Sequence, residues 1–184
     1  MCGNYSLALK TLYYSLPNHC NNSFTITDIT TEQKQAIATT SHSKHITDMK
    51  LFERKSAANF SGTPAETLKL LATDKNENVR RGVADNPSTP AETLKLLATD
   101  ADEWVRKGVA RNPNTPVETL NLLASDTEGF VRVGVANNPN TPAEILKLLA
   151  TDADEWVRVV VANNPNTPAE TLNLLATDKN KNAL

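Results

Sequence analysis

The sequence predicts an all-α solenoid, a stack of short two-helix repeats, and three observations carry that prediction. TPAETL begins at Thr63, Thr89 and Thr167, TPVETL at Thr115 and TPAEIL at Thr141, so one motif recurs every 26 residues. Fixed periods of 20 to 50 residues are the mark of stacked repeats. Each copy is punctuated by residues that start and stop helices, and the apolar residues between them follow a helical rather than an alternating spacing.

The first helix of each unit begins at the Thr-Pro pair. In Thr63-Pro64-Ala65-Glu66 a threonine able to cap precedes a proline at the first helical position, with a glutamate two residues further on. Proline there forfeits only an N–H that the helix cannot use, and the glutamate suits both the cap and the helix dipole. All five units carry this arrangement, so Thr63, Thr89, Thr115, Thr141 and Thr167 are expected to be N-caps. Ala65, Leu68, Leu71 and Ala72 fall on one face.

A second helix is expected to start at Asp74, Asp100, Asp126 and Asp152, each a capable cap, with Glu77, Glu103 and Glu155 three positions on in three units. It should end at Asn86-Pro87, Asn112-Pro113, Asn138-Pro139 and Asn164-Pro165, because the residue before proline is pushed out of the helical region. Val79 and Val83, four apart, mark its inner face, and Leu68, Leu70, Leu71, Val79 and Val83 are the expected buried aliphatics of a unit. Helices of about ten residues are too short to stand alone in water, so each unit needs its neighbours.

Framed on this motif, the units run 59–84, 85–110, 111–136 and 137–162, with a partial fifth over 163–184. The segment KLLATDADEWVR at 95–106 recurs letter for letter at 147–158, which points to duplication of a two-unit block. Asn-Pro, Thr-Pro, Leu-x-Leu-Leu-Ala, Asp and Val-Arg at these spacings resemble the leucine-rich repeat variant family, a relative in style of the HEAT repeats. The resemblance covers residues 59–184. It implies a right-handed superhelix in which an α-helix alternates with a short second helix of 3₁₀ type. It brings no catalytic activity. An iron–sulfur cluster held by N-terminal cysteines goes with at least one type of member.

Residues 1–47 form a non-repeat leader. Asp48 to Ala58, DMKLFERKSAA, aligns with the later Asp-to-Val-Ala segments and reads as a degenerate half-repeat that caps the stack, Phe52 at the Trp104 position and Arg54 at the Arg80 position. At the other end the partial unit stops before its Val-Arg pair. Leu172, Leu174 and Leu175 are therefore expected to lack one layer of packing and to offer an edge for a partner, for self-association, or for further repeats of a longer product.

Three constellations invite a chemical reading. Arg80, Arg106, Arg132 and Arg158 form a ladder, with Arg54 as a fifth rung. Pairing with an Asp or an Asn loop of the same or adjacent unit explains it, and a clamp for an anion or peptide is the alternative. Trp104, Phe130 and Trp156 form an aromatic row, which either packs between second helices where Gly108 and Gly134 leave room or stands exposed as a recognition stripe. Cys2, Cys20, His42 and His45 contain a His-x-x-His pair, but the spacing of the cysteines fits no zinc finger. Two cysteines are also too few for a four-iron cluster, which wants four thiolates, so no cofactor is expected.

Composition narrows the function. Net charge is −2, and the repeats hold 13 Lys and Arg against 17 Asp and Glu, so they would neutralise a nucleic-acid backbone poorly. No apolar run spans a bilayer. The two cysteines suit a reducing compartment, and the expected location is cytoplasmic. No phosphate loop or nucleophile motif is present. The reading that follows is a non-catalytic scaffold that binds a protein or peptide. A metal- or redox-linked protein with its cofactor in the leader is the alternative, and a HEAT-like nucleic-acid binder the third.

Overall fold

The computed structural model describes Ile46 and residues 48–177. Among the described residues ten α-helices follow one another without a strand: α1 Leu51–Asn59, α2 Ala65–Leu71, α3 Glu77–Asp85, α4 Ala91–Leu97, α5 Glu103–Arg111, α6 Val117–Leu123, α7 Gly129–Asn137, α8 Ala143–Leu149, α9 Glu155–Asn163 and α10 Ala169–Ala176. The odd-numbered helices pack directly on one another. Each even-numbered helix sits against the odd-numbered helices before and after it, or against α9 alone for α10. The result is a two-layer α-solenoid with one continuous core.

The core takes the same side chains from every rung. Leu68, Leu71, Val79 and Val83 are fully buried, as are Leu94, Val105, Val109, Leu120, Val131, Val135, Leu146 and Val157. Leu70 is only partly buried and its counterparts Leu96, Leu122, Leu148 and Leu174 are exposed, so one expected core position is a surface position. Ala65 is likewise exposed. Its place on the inner face is taken by the residue two further on, Thr93, Thr119, Ile145 and Thr171 in the later units.

The punctuation acts differently from its local reading. The even-numbered helices are capped by the backbone of the prolines: Pro64 is extended, with φ −59° and ψ 145°, and makes no side-chain cap bond. Thr63, Thr89, Thr115, Thr141 and Thr167 turn away from the helix that follows. Each hydroxyl donates at 2.6 Å to a carbonyl six residues earlier, on Ala57, Val83, Val109, Val135 and Val161. The carbonyls at a helix end lack intrahelical partners, and a buried hydroxyl needs one, so the threonine satisfies the end of the preceding helix.

The aspartates are displaced in the same way. Asp74, Asp100, Asp126 and Asp152 accept from the backbone N–H two residues on, at 2.8–2.9 Å, and the helix begins after that turn. The N-caps proper are Asn76, Asp102 and Asp154, whose side chains accept from the N–H groups of Asn78, Trp104 and Trp156. Glu128, at the same place, makes no cap bond.

The odd-numbered helices are nine-residue α-helices, so the 3₁₀ type implied by the resemblance is not what this chain adopts. Three-residue bonds occur at their ends, from Asn86 N–H to the Val83 carbonyl at 3.1 Å, for example. Helices α3, α5, α7 and α9 end where expected, at an extended asparagine before proline.

Gly82, Gly108 and Gly134 set the spacing of this layer. A Cβ on any of them would lie 2.9 Å from the Cβ of Ala58, Ala84 or Ala110 on the preceding odd-numbered helix. These glycines therefore admit a neighbouring helix rather than an aromatic ring.

Candidate partner-binding site

The arginine ladder joins consecutive rungs. Arg80 Nε and Nη2 donate to the two oxygens of Asp100 at 2.7 and 2.9 Å, while Nη1 donates to the Asp74 carbonyl of its own unit at 2.9 Å. Arg106 repeats this with Asp126 and the Asp100 carbonyl, and Arg132 with Asp152 and the Asp126 carbonyl. Arg54 grips Asp74 at 2.6 Å, so the first half-repeat is a working rung. Arg158 donates to the Asp152 and Ala153 carbonyls. Burial would raise the Asp100, Asp126 and Asp152 carboxyls. The arginine bonds, a backbone N–H and the nearby positive charges outweigh it and hold all three below the usual carboxylate value.

A second ladder runs through the asparagines before proline. The Asn112 side chain is 3% exposed. Its amide donates to the Ala84 and Asn86 carbonyls of the preceding rung at 2.8 and 2.9 Å, and its oxygen accepts from Asn114 N–H at 2.9 Å. Asn86, Asn138 and Asn164 do the same. Read along the chain, these asparagines are helix stops. Their identical recurrence before proline in every unit was the available signal that they also serve the stack.

The aromatic row lies on the surface of the odd-numbered layer. Trp104 and Phe130, from adjacent rungs, stack with ring centroids 4.9 Å apart and planes 20° apart. Lys107 Nζ stands 4.9 Å from the Trp104 centroid and 5.6 Å from that of Phe130, and Arg81 Cζ is 5.5 Å from Trp104 on the other side. Trp104 remains 43% exposed and Trp156, two rungs on, 71%. Helix geometry explains the position: residue 104 lies about 100° from the buried Val105. Phe130 is half-buried against the core with Val133.

The Leucine rich repeat variant profile matches four consecutive blocks, residues 77–102, 103–128, 129–154 and 155–180. The chain belongs to the leucine-rich repeat variant family. A solved structure titled as a leucine-rich repeat variant with a novel repetitive protein structural motif is 31% identical, with a TM-score of 0.58 over 80% of this chain. The chain covers 59% of that protein's length. No curated protein matches it.

The leucine-rich repeat variant unit therefore begins at an odd-numbered helix and ends after the even-numbered one, in a register shifted from the Thr-Pro frame. In that register Arg80–Asp100, Arg106–Asp126 and Arg132–Asp152 each fall within one unit, whereas the Thr-Pro frame divides each pair between two.

The three leucines proposed for an open edge behave differently. Leu175 is buried at 2%, and Leu174 is no more exposed than Leu96, Leu122 and Leu148. Leu172 alone departs from its counterparts, 36% exposed where Leu68, Leu94, Leu120 and Leu146 are fully buried. Cys2, Cys20, His42 and His45 lie outside the described residues. Among the described residues no cluster of three or more His, Cys, Asp or Glu side chains could hold a metal, and no helix is long and apolar enough to cross a membrane.

Proposed function

We propose that this leucine-rich repeat variant protein is a binding scaffold whose partner, a protein or peptide, docks on the aromatic face of the odd-numbered helices. The observation that supports it is the exposed Trp104 stacked on Phe130 and flanked by Lys107 and Arg81, with Trp156 exposed on the rung after Phe130. Large rigid aromatics beside cations are the side chains that dominate protein interfaces. The core uses neither indole, so the stack gains little from keeping them.

The arginines at 80, 106, 132 and 158 act in this reading as positioning residues. Arg80, Arg106 and Arg132 do so by bridging consecutive rungs to Asp100, Asp126 and Asp152. Crosslinking the native full chain in its source extract, beside a Trp104→Ala/Trp156→Ala variant, tests the proposal. A partner captured by the native chain and lost with the variant supports it. Equal capture by both would remove the aromatic face from the interaction. Self-association through the C-terminal units is proposed to use Leu172, and sedimentation of Leu172→Glu against the native chain over a concentration series checks it.

A further inference from the structure

We infer that the even-numbered helices carry a second docking surface, an acid-flanked leucine stripe that takes a basic segment with regularly spaced apolar side chains. Leu96, Leu122, Leu148 and Leu174 are each 50–55% exposed, one per rung, on α4, α6, α8 and α10. The core does not need them, since the leucines two before and one after on α4, α6 and α8 are buried.

Four residues before each of these leucines stands a glutamate: Glu92, Glu118, Glu144 and Glu170, with Glu66 before Leu70. Residues four apart on a helix lie one above the other, so every rung presents a leucine beside a carboxylate. The same layer holds Lys69, Lys95 and Lys147 but has Asn121 and Asn173 at the remaining rungs, three cations against five anions. Two of the lysines are engaged with Glu92 and Glu170.

The sign of the charge selects the occupant. A second copy of this face, a nucleic acid, an anionic bilayer or an acidic peptide would each bring like charge to the glutamate row. A segment that carries both aliphatic residues and lysine or arginine meets both rows. Adjacent rungs of packed helices lie about 8–10 Å apart, and a polyproline II segment returns a side chain to the same face every third residue, about 9.3 Å on, so its apolar side chains should recur every third position.

The probe is a labelled peptide of roughly fifteen residues repeating Leu-Lys-Ser, three residues for each of five rungs, titrated with the full chain by fluorescence anisotropy. It is expected to bind about tenfold more tightly than Leu-Glu-Ser or Ser-Lys-Ser repeats of equal length, and less tightly as salt is raised. Leu96→Ser/Leu122→Ser/Leu148→Ser should lower its affinity about tenfold. Glu92→Lys/Glu118→Lys/Glu144→Lys should do so as well, and its exposed sites guard against a folding artefact in the first variant. Trp104→Ala/Trp156→Ala should leave it unchanged. Absence of binding, equal binding of the acidic repeat, or loss of binding only in the tryptophan variant would overturn the inference. The last outcome would place the segment on the aromatic face instead.

Discussion

The guanidinium of Arg106 on α5 grips the carboxylate of Asp126 in the loop before α7 through two bonds, Nε to Oδ2 at 2.7 Å and Nη2 to Oδ1 at 3.0 Å, while its third nitrogen holds the Asp100 carbonyl behind it. Both side chains are largely buried, at 15% and 8% exposure. Asp126 also takes the Glu128 N–H, so one pair closes the loop before α7 and fixes that loop to α5.

Removing one partner strands the other. Asp126→Ala should cost about 3 kcal/mol, because a largely buried guanidinium then loses its counter-ion. In an Arg106→Ala/Asp126→Ala cycle the coupling should be about 1–3 kcal/mol, measured by urea unfolding.

Acid should loosen the same joints. Asp100, Asp126 and Asp152 have folded-state values below those of the unfolded chain. Their contribution is therefore present above the unfolded carboxylate value and is lost as pH falls through the folded one. Thermal stability should drop below about pH 4, and Asp126→Asn should flatten that drop.

Thr115→Ala removes the hydroxyl donor to the buried Val109 carbonyl, leaving it the Asn112 N–H at 3.1 Å, and should cost about 1 kcal/mol. Hydrogen exchange should then quicken at the end of α5 rather than at the start of α6, where an N-cap role would have put the effect. Asn112→Ala removes two donors to buried carbonyls and should cost about 3 kcal/mol.

Glycine to alanine ordinarily steadies a helix, but Gly108→Ala should destabilise this one by about 1–3 kcal/mol through overpacking. The new methyl would meet Ala84 Cβ at 2.9 Å and Asp85 Oδ1 at 3.0 Å. Adding Ala84→Gly should recover most of the loss in the same denaturant measurement.

Neighbouring leucines should separate cleanly. Leu123→Ala opens the core and should cost about 2–5 kcal/mol, whereas Leu122→Ala, at 55% exposure, should stay within about 0.5 kcal/mol of the native chain.

The sequence by itself determined the architecture. A 26-residue period, proline at each helix start, Asn-Pro at each end and Leu68, Leu71, Val79 and Val83 at helical spacing admit only short helices that must stack, because local backbone restrictions and burial act on residues near one another in the chain. What the polar residues hold was decided by the tertiary structure. Thr115, Asp126 and Asn112 all look like local caps or stops, and each instead satisfies a group beyond the helix it was expected to serve: a carbonyl six residues back, a guanidinium twenty residues away, a carbonyl 28 residues away. Stacking buries those groups, and a buried donor or acceptor takes its partner wherever the next rung brings one. The candidate site divided along the same line. The sequence put Trp104, Phe130 and Trp156 on one row, but only the packing of α3, α5 and α7 through glycine closed the grooves between those helices and left the Trp104 ring at the surface, stacked on a half-buried Phe130.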